Sequence, residues 1–144
     1  MSSPYTPRFT NLVELFNFAV DRYADRQAFG TLKGREWSWI TYAELAEQVA
    51  RFRAALALLG VGRGDRVAIV ADNRVEWVIA AHATFQRRAI YVPMFEAQVD
   101  SELRYILSDA GAKVCLAANS AVAARVASLR EDLLDLAHVI NIEG

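Results

Sequence analysis

Gly64 to Pro93 reads GDRVAIVADNRVEWVIAAHATFQRRAIYVP, and within these residues a strand, a turn, a helix and a second strand follow one another. The pattern predicts a parallel βαβ unit. Arg66 to Ala71 (RVAIVA) is apolar without polar alternation and rich in β-branched side chains, which suits a strand covered on both faces. Asn73 is placed to cap the following helix, with Glu76 in the reciprocal position three residues on. Ala89 to Val92 (AIYV) reads as a second buried strand, stopped by Pro93, which has no N–H to give to a ladder.

Upstream, Thr10 or Asn11 is expected to cap a helix that carries Leu12, Leu15, Phe16, Ala19 and Tyr23 on one face. Ala28 to Leu32 and Glu36 to Ile40 read as a hairpin turning at Lys33-Gly34-Arg35, with Trp37 and Trp39 on one side of its second strand. Thr41 to Leu59 is a long helix: Thr41 and Glu44 form a capping box, Ile40 and Leu45 a hydrophobic staple, and Leu45, Val49, Phe52, Leu56 and Leu59 an apolar stripe. Gly60 ends it in a left-handed cap.

Downstream the alternation continues. Asp100 is expected to cap a helix with Leu103, Ile106, Leu107 and Ala110 inward, and Gly111 to stop it before a strand at Lys113 to Ala117. Ser120 begins another helical stretch, with an interruption where Ser128 and Glu131 offer a second capping box, and His138 to Ile142 is the last strand. The fold class is therefore α/β, a mostly parallel sheet of about four strands with flanking helices, preceded by a helix, a β-hairpin and a long helix. Residues 1–9 are expected to be a flexible N-terminus and 10–144 a single, incomplete α/β domain.

Composition excludes several classes. With 54% hydrophobic and 23% charged residues the chain is of globular type, and 144 residues can bury a core. A net charge of −1 argues against a nucleic-acid partner, whose binding needs clustered Lys and Arg. Cys115 is the one cysteine, so no intramolecular disulfide forms, and its apolar neighbours mark it as a small buried hydrophobe. The first ten residues lack the apolar core of a signal peptide, and no run approaches the roughly 18 apolar residues of a spanning helix. Together these features predict a cytoplasmic protein.

The residues yield no catalytic or metal assignment. Gly60-Val61-Gly62-Arg63-Gly64 follows a helix and precedes a strand, the reverse of a phosphate loop, and reads as a cap and tight connection. His82 lies among Trp77, Val78, Ala81 and Phe85, as a packed and hydrogen-bonded histidine would, and with His138 and Cys115 it makes no zinc spacing. Glu44, Glu76 and Glu102 are first-turn helix residues rather than a general acid and base. In a parallel sheet the ligand crevice lies at the carboxyl ends of the strands, here Asp72 to Arg74, Pro93 to Gln98 and Ala118 to Ser120. Met94, Phe95, Glu96 and Gln98 are accordingly the candidate pocket-lining residues.

Three segments carry a family resemblance that runs from Thr10 to Gly144. Ile40-Thr41-Tyr42-Ala43-Glu44-Leu45 resembles a first core motif, a hydrophobic residue followed by TYxEL; Gly64-Asp65-Arg66-Val67-Ala68-Ile69 with Asn73-Arg74-Val75-Glu76-Trp77 resembles a GDRVAI…N..EW segment; and Tyr91-Val92-Pro93-Met94-Phe95 resembles the second core motif. Their order and spacing resemble the N-terminal portion of AMP-forming acyl-CoA synthetases of the adenylate-forming superfamily, most closely the long-chain fatty-acid–CoA ligases. The resemblance implies the first part of the large N-terminal domain of such an enzyme. It further implies a parent reaction of fatty acid, ATP and CoA, with magnesium, to acyl-CoA, AMP and pyrophosphate.

The family's Ser/Thr/Gly-rich phosphate loop, ribose-binding aspartate, hinge and adenylating lysine have no counterpart in these 144 residues. The segment alone is therefore expected to bind no cofactor and to be structural. Its implied partners are the remainder of the synthetase, the fatty acid in the parent, and a second copy in a homodimer. The alternatives are a stand-alone binding module and a subunit whose ATP site another chain supplies. Relatives usually carry glycine at the position of Arg88, where a left-handed cap would cost a non-glycine residue about 1 kcal/mol, so a different helix end is expected there.

Overall fold

The computed structural model describes residues 8–143. Helix α1 (Leu12–Tyr23), the hairpin strands β1 (Gln27–Lys33) and β2 (Glu36–Thr41), and α2 (Tyr42–Leu58) come first. They are followed by β3 (Arg66–Val70), α3 (Val75–Gln86), β4 (Ile90–Met94), α4 (Asp100–Ala110), β5 (Val114–Ala117), α5 (Ser120–Ser128), a 3₁₀ turn (Arg130–Asp132) and β6 (His138–Asn141). Strands β3 to β6 form one parallel sheet in the order β4-β3-β5-β6, and the hairpin is a separate antiparallel pair. Residues 1–7 of the N-terminus expected to be flexible lie outside the described residues. The Phe9 ring rests 5.2 Å from that of Phe18, and the Arg8 guanidinium lies over the Phe18 ring at 4.1 Å.

The two central strands are buried on both faces, as an uninterrupted apolar run requires. Val67, Ile69, Val114 and Leu116 face one core layer with Leu45, Val49 and Leu56 of α2 and Ile79, Ala80 and Ala83 of α3. Ala68, Val70, Cys115 and Ala117 face the other, against Leu103 and Leu107 of α4 and Val122 and Val126 of α5. Helix α3 therefore lies on one face of the sheet, and α4 and α5 on the opposite one.

Three helices return to the sheet through the same device. After α2, Val61 N–H donates to Leu56 O and Gly60 N–H to Ala57 O; after α3, Ala89 donates to Thr84 O and Arg88 to Phe85 O; after α4, Ala112 donates to Leu107 O and Gly111 to Ser108 O. Each is a Schellman cap, in which the penultimate residue turns left-handed and the next is buried. Gly60 and Gly111 adopt φ of 72° and 60°, and Arg88 adopts φ of 57°. The helix end at Arg88 is thus the left-handed one, contrary to expectation, because Ala89 must be buried and β4 must start beside β3.

Other local expectations are corrected. The side chain of Asn73 does not cap α3: the N-cap is Arg74, and Glu76 accepts from the Arg74 guanidinium instead. Asp100 lies inside the first turn of α4 rather than capping it, with its carboxylate taken by Arg125. Ser128 and Glu131 form no capping box, although the chain does break there into a 3₁₀ turn. The hairpin turns on two residues, since Lys33 pairs with Glu36.

Pro93 does not stop β4. It lies within the strand, opposite Ile69. Ile90 N–H donates to Asp65 O and Met94 O accepts from Ala71 N–H, so the even-numbered residues bond to β3 and the nitrogen of Pro93 points to the open side. β4 is an edge strand, where a missing donor is tolerated, and it is half exposed rather than buried. On α1, only Phe16 of the expected apolar face is buried, while Leu12 and Leu15 remain exposed.

Thr41 and Glu44 do form the capping box: Glu44 N–H donates to Thr41 Oγ1 and Thr41 N–H to Glu44 Oε2. Asn11 rather than Thr10 caps α1, accepting from Glu14 N–H. Trp37 and Trp39 stack with centroids 5.7 Å apart on the outer side of the hairpin.

Candidate functional site

Because α3 and α5 leave β3 and β5 toward opposite faces, the sheet's switch crevice opens between the carboxyl ends of these two neighbouring strands. Ligands of open α/β sheets bind in such crevices. Here the protein's own side chains enter it. Glu96, from the loop after β4, accepts from Asp72 N–H at 3.2 Å through one carboxylate oxygen and from Asn119 Nδ2 at 3.2 Å through the other. Asn119 in turn caps α5, accepting from Val122 N–H.

Arg74 crosses from the β3 side. Its Nε donates to Glu76 at 2.9 Å and its Nη1 to Ala118 O at 3.0 Å. Burial pushes the Glu76 carboxyl up, but the hydrogen bond and charge of Arg74 outweigh it and hold the group below the usual carboxylate range. The same bond raises the Arg74 guanidinium. Arg125 closes the loop after β4 from beneath, donating to Glu96 O, Gln98 O and Asp100 Oδ1. Gln98 folds back to accept from Phe95 N–H.

The four candidate residues are divided between two hollows. Met94 and Phe95 line a cavity of about 150 Å³ with Ala71, Asn73, Trp77 and Pro93. Met94 is otherwise buried in the core, whereas Phe95 is exposed. Glu96 and Gln98 border a shallow depression of about 520 Å³ with Asp100, Ser101 and Arg125. Nearby, an apolar cavity of about 240 Å³ is lined by Phe52, Ile79, Leu116 and Ile140, with Glu76 and Asn141 at its rim.

Sequence reasoning placed the loops at this edge but missed Asn119, Arg125 and the Arg74–Glu76 pair as the groups that tie it together. Arg125 contacts residues 25 to 29 positions away, and no spacing rule announces such a partner. The other titratable candidates lie elsewhere. His82 stacks on Phe16 at 4.3 Å and meets Phe85 edge-on, and burial lowers its pKa. It is packed as expected, but its Nδ1 has no hydrogen-bond partner among the described residues. Burial pushes the Cys115 thiol up to about 12, consistent with a core residue and not a nucleophile.

The Gly60–Gly64 loop lies at the opposite, amino-terminal edge. Gly60 O accepts from Lys113 Nζ at 2.6 Å and Val61 O from the Arg87 guanidinium at 2.9 and 2.7 Å, so the loop displays carbonyls that cations cap. A phosphate cradle would instead display N–H groups.

The fold is thus a parallel α/β sheet whose switch crevice holds the protein's own Glu96, Asn119 and Arg74 side chains. The AMP-binding enzyme family matches residues 16–143, and the chain belongs to that family. It is 35% identical over 108 residues to the long-chain-fatty-acid–CoA ligase FadD15 of Mycobacterium bovis, a match covering 75% of this chain and 18% of that protein. It is 32% identical over 133 residues to the medium/long-chain-fatty-acid–CoA/3-oxocholest-4-en-26-oate–CoA ligase of Mycobacterium marinum, covering 92% of this chain and 23% of that protein. The chain therefore spans about a fifth of the length of these curated relatives.

The same fold occurs in the anthranilate CoA ligase AuaEII in complex with anthranoyl-AMP, with TM-score 0.85 and 24% identity over 100% of this chain and 27% of that one. It also occurs in the N-terminal domain of FACL13 from Mycobacterium tuberculosis, with TM-score 0.83 and 23% identity over 94% of this chain and 34% of that one. Among the described residues no helix is long and apolar enough to cross a membrane.

Proposed function

We propose that this chain is the first part of the large N-terminal domain of an AMP-forming long-chain fatty-acid–CoA ligase acting in the cytoplasm, which converts fatty acid, ATP and CoA to acyl-CoA, AMP and pyrophosphate. The observation that carries this reading is the 35% identity over 108 residues to a long-chain-fatty-acid–CoA ligase.

Within such an enzyme the segment, residues 10–144, is scaffold and not catalytically competent by itself. The arginines at the carboxyl edge support this. Arg74 is committed to Glu76 and Ala118 O, and Arg125 to the loop after β4. Asp72, Glu96 and Glu143 at the same edge are acidic and repel a triphosphate. These residues offer the ATP phosphates no free arginine, which supports placing the ATP of the parent reaction, and the magnesium and CoA used with it, in other parts of the enzyme. Exposed Leu12, Leu15, Leu32, Trp37 and Trp39 on α1 and the hairpin support a further covering layer, supplied by the remainder of the synthetase or by a second copy in a homodimer.

The test is fatty-acid-dependent ATP–pyrophosphate exchange, measured for this chain alone and for a protein that joins it to the downstream portion of the enzyme. Exchange is expected only from the longer protein. Robust exchange by the chain alone would overturn the scaffold reading, and its absence from the longer protein with every fatty acid tried would overturn the ligase reading.

A further inference from the structure

We propose that α1 is a pH-sensitive strap: Phe16, stacked on His82, holds it against α3, and protonation of that histidine in mildly acid solution releases it. The proposal stands apart from the ligase reading and uses only α1, α3 and the contact between them.

Helix α1 is attached unevenly. Just past its carboxyl end the chain is tied to the start of α2, where Ala43 N–H donates to Ala24 O and Tyr42 N–H to Arg26 O, each at 3.0 Å. Along the helix itself Phe16 is the one buried side chain; Val20 is half-buried, and Leu12 and Leu15 are exposed. The Phe16 ring lies 4.3 Å from the His82 imidazole at an interplanar angle of 26°, and Phe85 meets the imidazole edge-on at 6.0 Å. Loss of one stack therefore frees most of α1 while the hinge at Ala24 stays closed.

His82 enters this contact without a polar partner. Its Nδ1 is buried and has no hydrogen bond among the described residues. A neutral ring leaves that nitrogen as a bare acceptor, but the imidazolium must carry an N–H there with no oxygen to receive it. The attraction of a cation for the Phe16 ring face does not offset a charge held out of water without a hydrogen bond. Burial alone moves the group, downward, and no neighbouring charge contributes.

The charged groups on the surrounding elements are engaged elsewhere or exposed. On α1, Glu14 accepts from Thr10, Arg22 lies over Tyr23, and Asp21 is exposed. On α2, Glu44 accepts from Thr41, Glu47 pairs with Arg51, and Arg53 is exposed. On α3, Glu76 is taken by Arg74, and beyond its end Arg87 by Val61 O; the Tyr91 hydroxyl of β4 donates to Trp77 O. None supplies the imidazolium with a counter-ion. An undocked His82 takes up its proton near the ordinary value of about 6.5, and a docked one only at lower pH. Docking is thus at full strength above about pH 6.5 and weakens as pH falls from there toward the docked value.

Amide exchange of the whole chain at pH 7.5 and 5.5 tests this, each rate divided by its intrinsic value at that pH. Both conditions lie above the carboxylate range, so Asp65 and Glu76 stay ionised. Protection of the α1 amides from Phe16 to Val20 is expected to fall about tenfold at pH 5.5, the ratio set by a free histidine value near 6.5, while Val67 to Ile69 of β3 stay protected. In His82→Phe, which keeps a ring against Phe16 and cannot titrate, α1 protection is expected to be the same at both pH values. The wild-type His82 ring resonance, which needs no variant, is expected to titrate over the interval in which α1 loosens. Unchanged α1 protection in the wild type, loss of β3 protection in step with α1, an equal loss in His82→Phe, or titration of His82 outside that interval would each overturn the proposal.

Discussion

The indole of Trp39 lies flat on Gly30, its cross-strand partner in the hairpin, so closely that a Cβ at Gly30 would stand 2.8 Å from Trp39 Cζ3. Glycine is needed here for the approach of a ring, not for its backbone angles. Trp37 then stacks on Trp39, and the hairpin acquires a continuous aromatic outer side. Gly30→Ala is expected to push the indole away and cost about 1–3 kcal/mol, the usual range for overpacking. Urea unfolding followed by tryptophan fluorescence checks it. An unchanged midpoint with an unchanged emission maximum would show that the ring moves aside freely.

Arg88→Gly is expected to stabilise the chain by about 1 kcal/mol, because the left-handed cap then costs nothing. Gly111→Ala is expected to do the opposite. It would force a left-handed φ on alanine and drive its methyl group into the Arg66 guanidinium, which is held against Ala110 O. The two midpoints should move in opposite directions from wild type. A destabilised Arg88→Gly would mean that the arginine side chain contributes more to the fold than its strain subtracts.

Stability should fall in acid through Asp65. Its carboxyl is held below the usual range first by the hydrogen bond from Gly62 N–H and then by Lys113. A group whose pKa is depressed on folding contributes stability that is fully present above its unfolded value of about 3.9 and is lost as pH falls through the folded value. Asp65→Asn should therefore lower the urea midpoint at neutral pH and flatten its decline below about pH 4. Parallel pH profiles for variant and wild type would show that Asp65 is not the linked group.

Glu96→Ala removes the acceptor shared by Asp72 N–H and Asn119 Nδ2. A cost of about 1–3 kcal/mol is expected for hydrogen bonds to a charged group. The more specific sign is local: amide exchange at Asp72 should accelerate while the core amides of Val67 to Ile69 stay protected. Uniform acceleration across the sheet would mean that the crevice is not an independent brace.

Much of this architecture was legible because it rests on neighbours in sequence. The capping box of Thr41 and Glu44, the glycine caps at Gly60 and Gly111, and the apolar runs of β3 and β5 each depend on residues within a few positions of one another. Asn73 misled because its spacing to Glu76 satisfies the capping pattern. Arg74, however, reaches both Glu76 and Ala118 O, and that long-range contact decides where the helix begins. Pro93 misled for a related reason. A proline ends an interior strand but fits an edge, and whether β4 is interior or edge depends on β5, which enters the sheet on the far side of β3.

The candidate site divides along the same line. Local pattern pointed to the loops after β3, β4 and β5 and read Gly60–Gly64 as a cap and tight connection in place of a phosphate loop. By itself, then, the sequence determined the strand and helix alternation, the caps and the family motifs, since short-range backbone and side-chain preferences govern all of these. Only the tertiary structure decided that Glu96, Arg74 and Arg125 close the crevice and that Arg88 must turn left-handed. Those outcomes depend on which strand ends the fold brings side by side, and the buried pairing of β3 with both β4 and β5 leaves no other path for the chain.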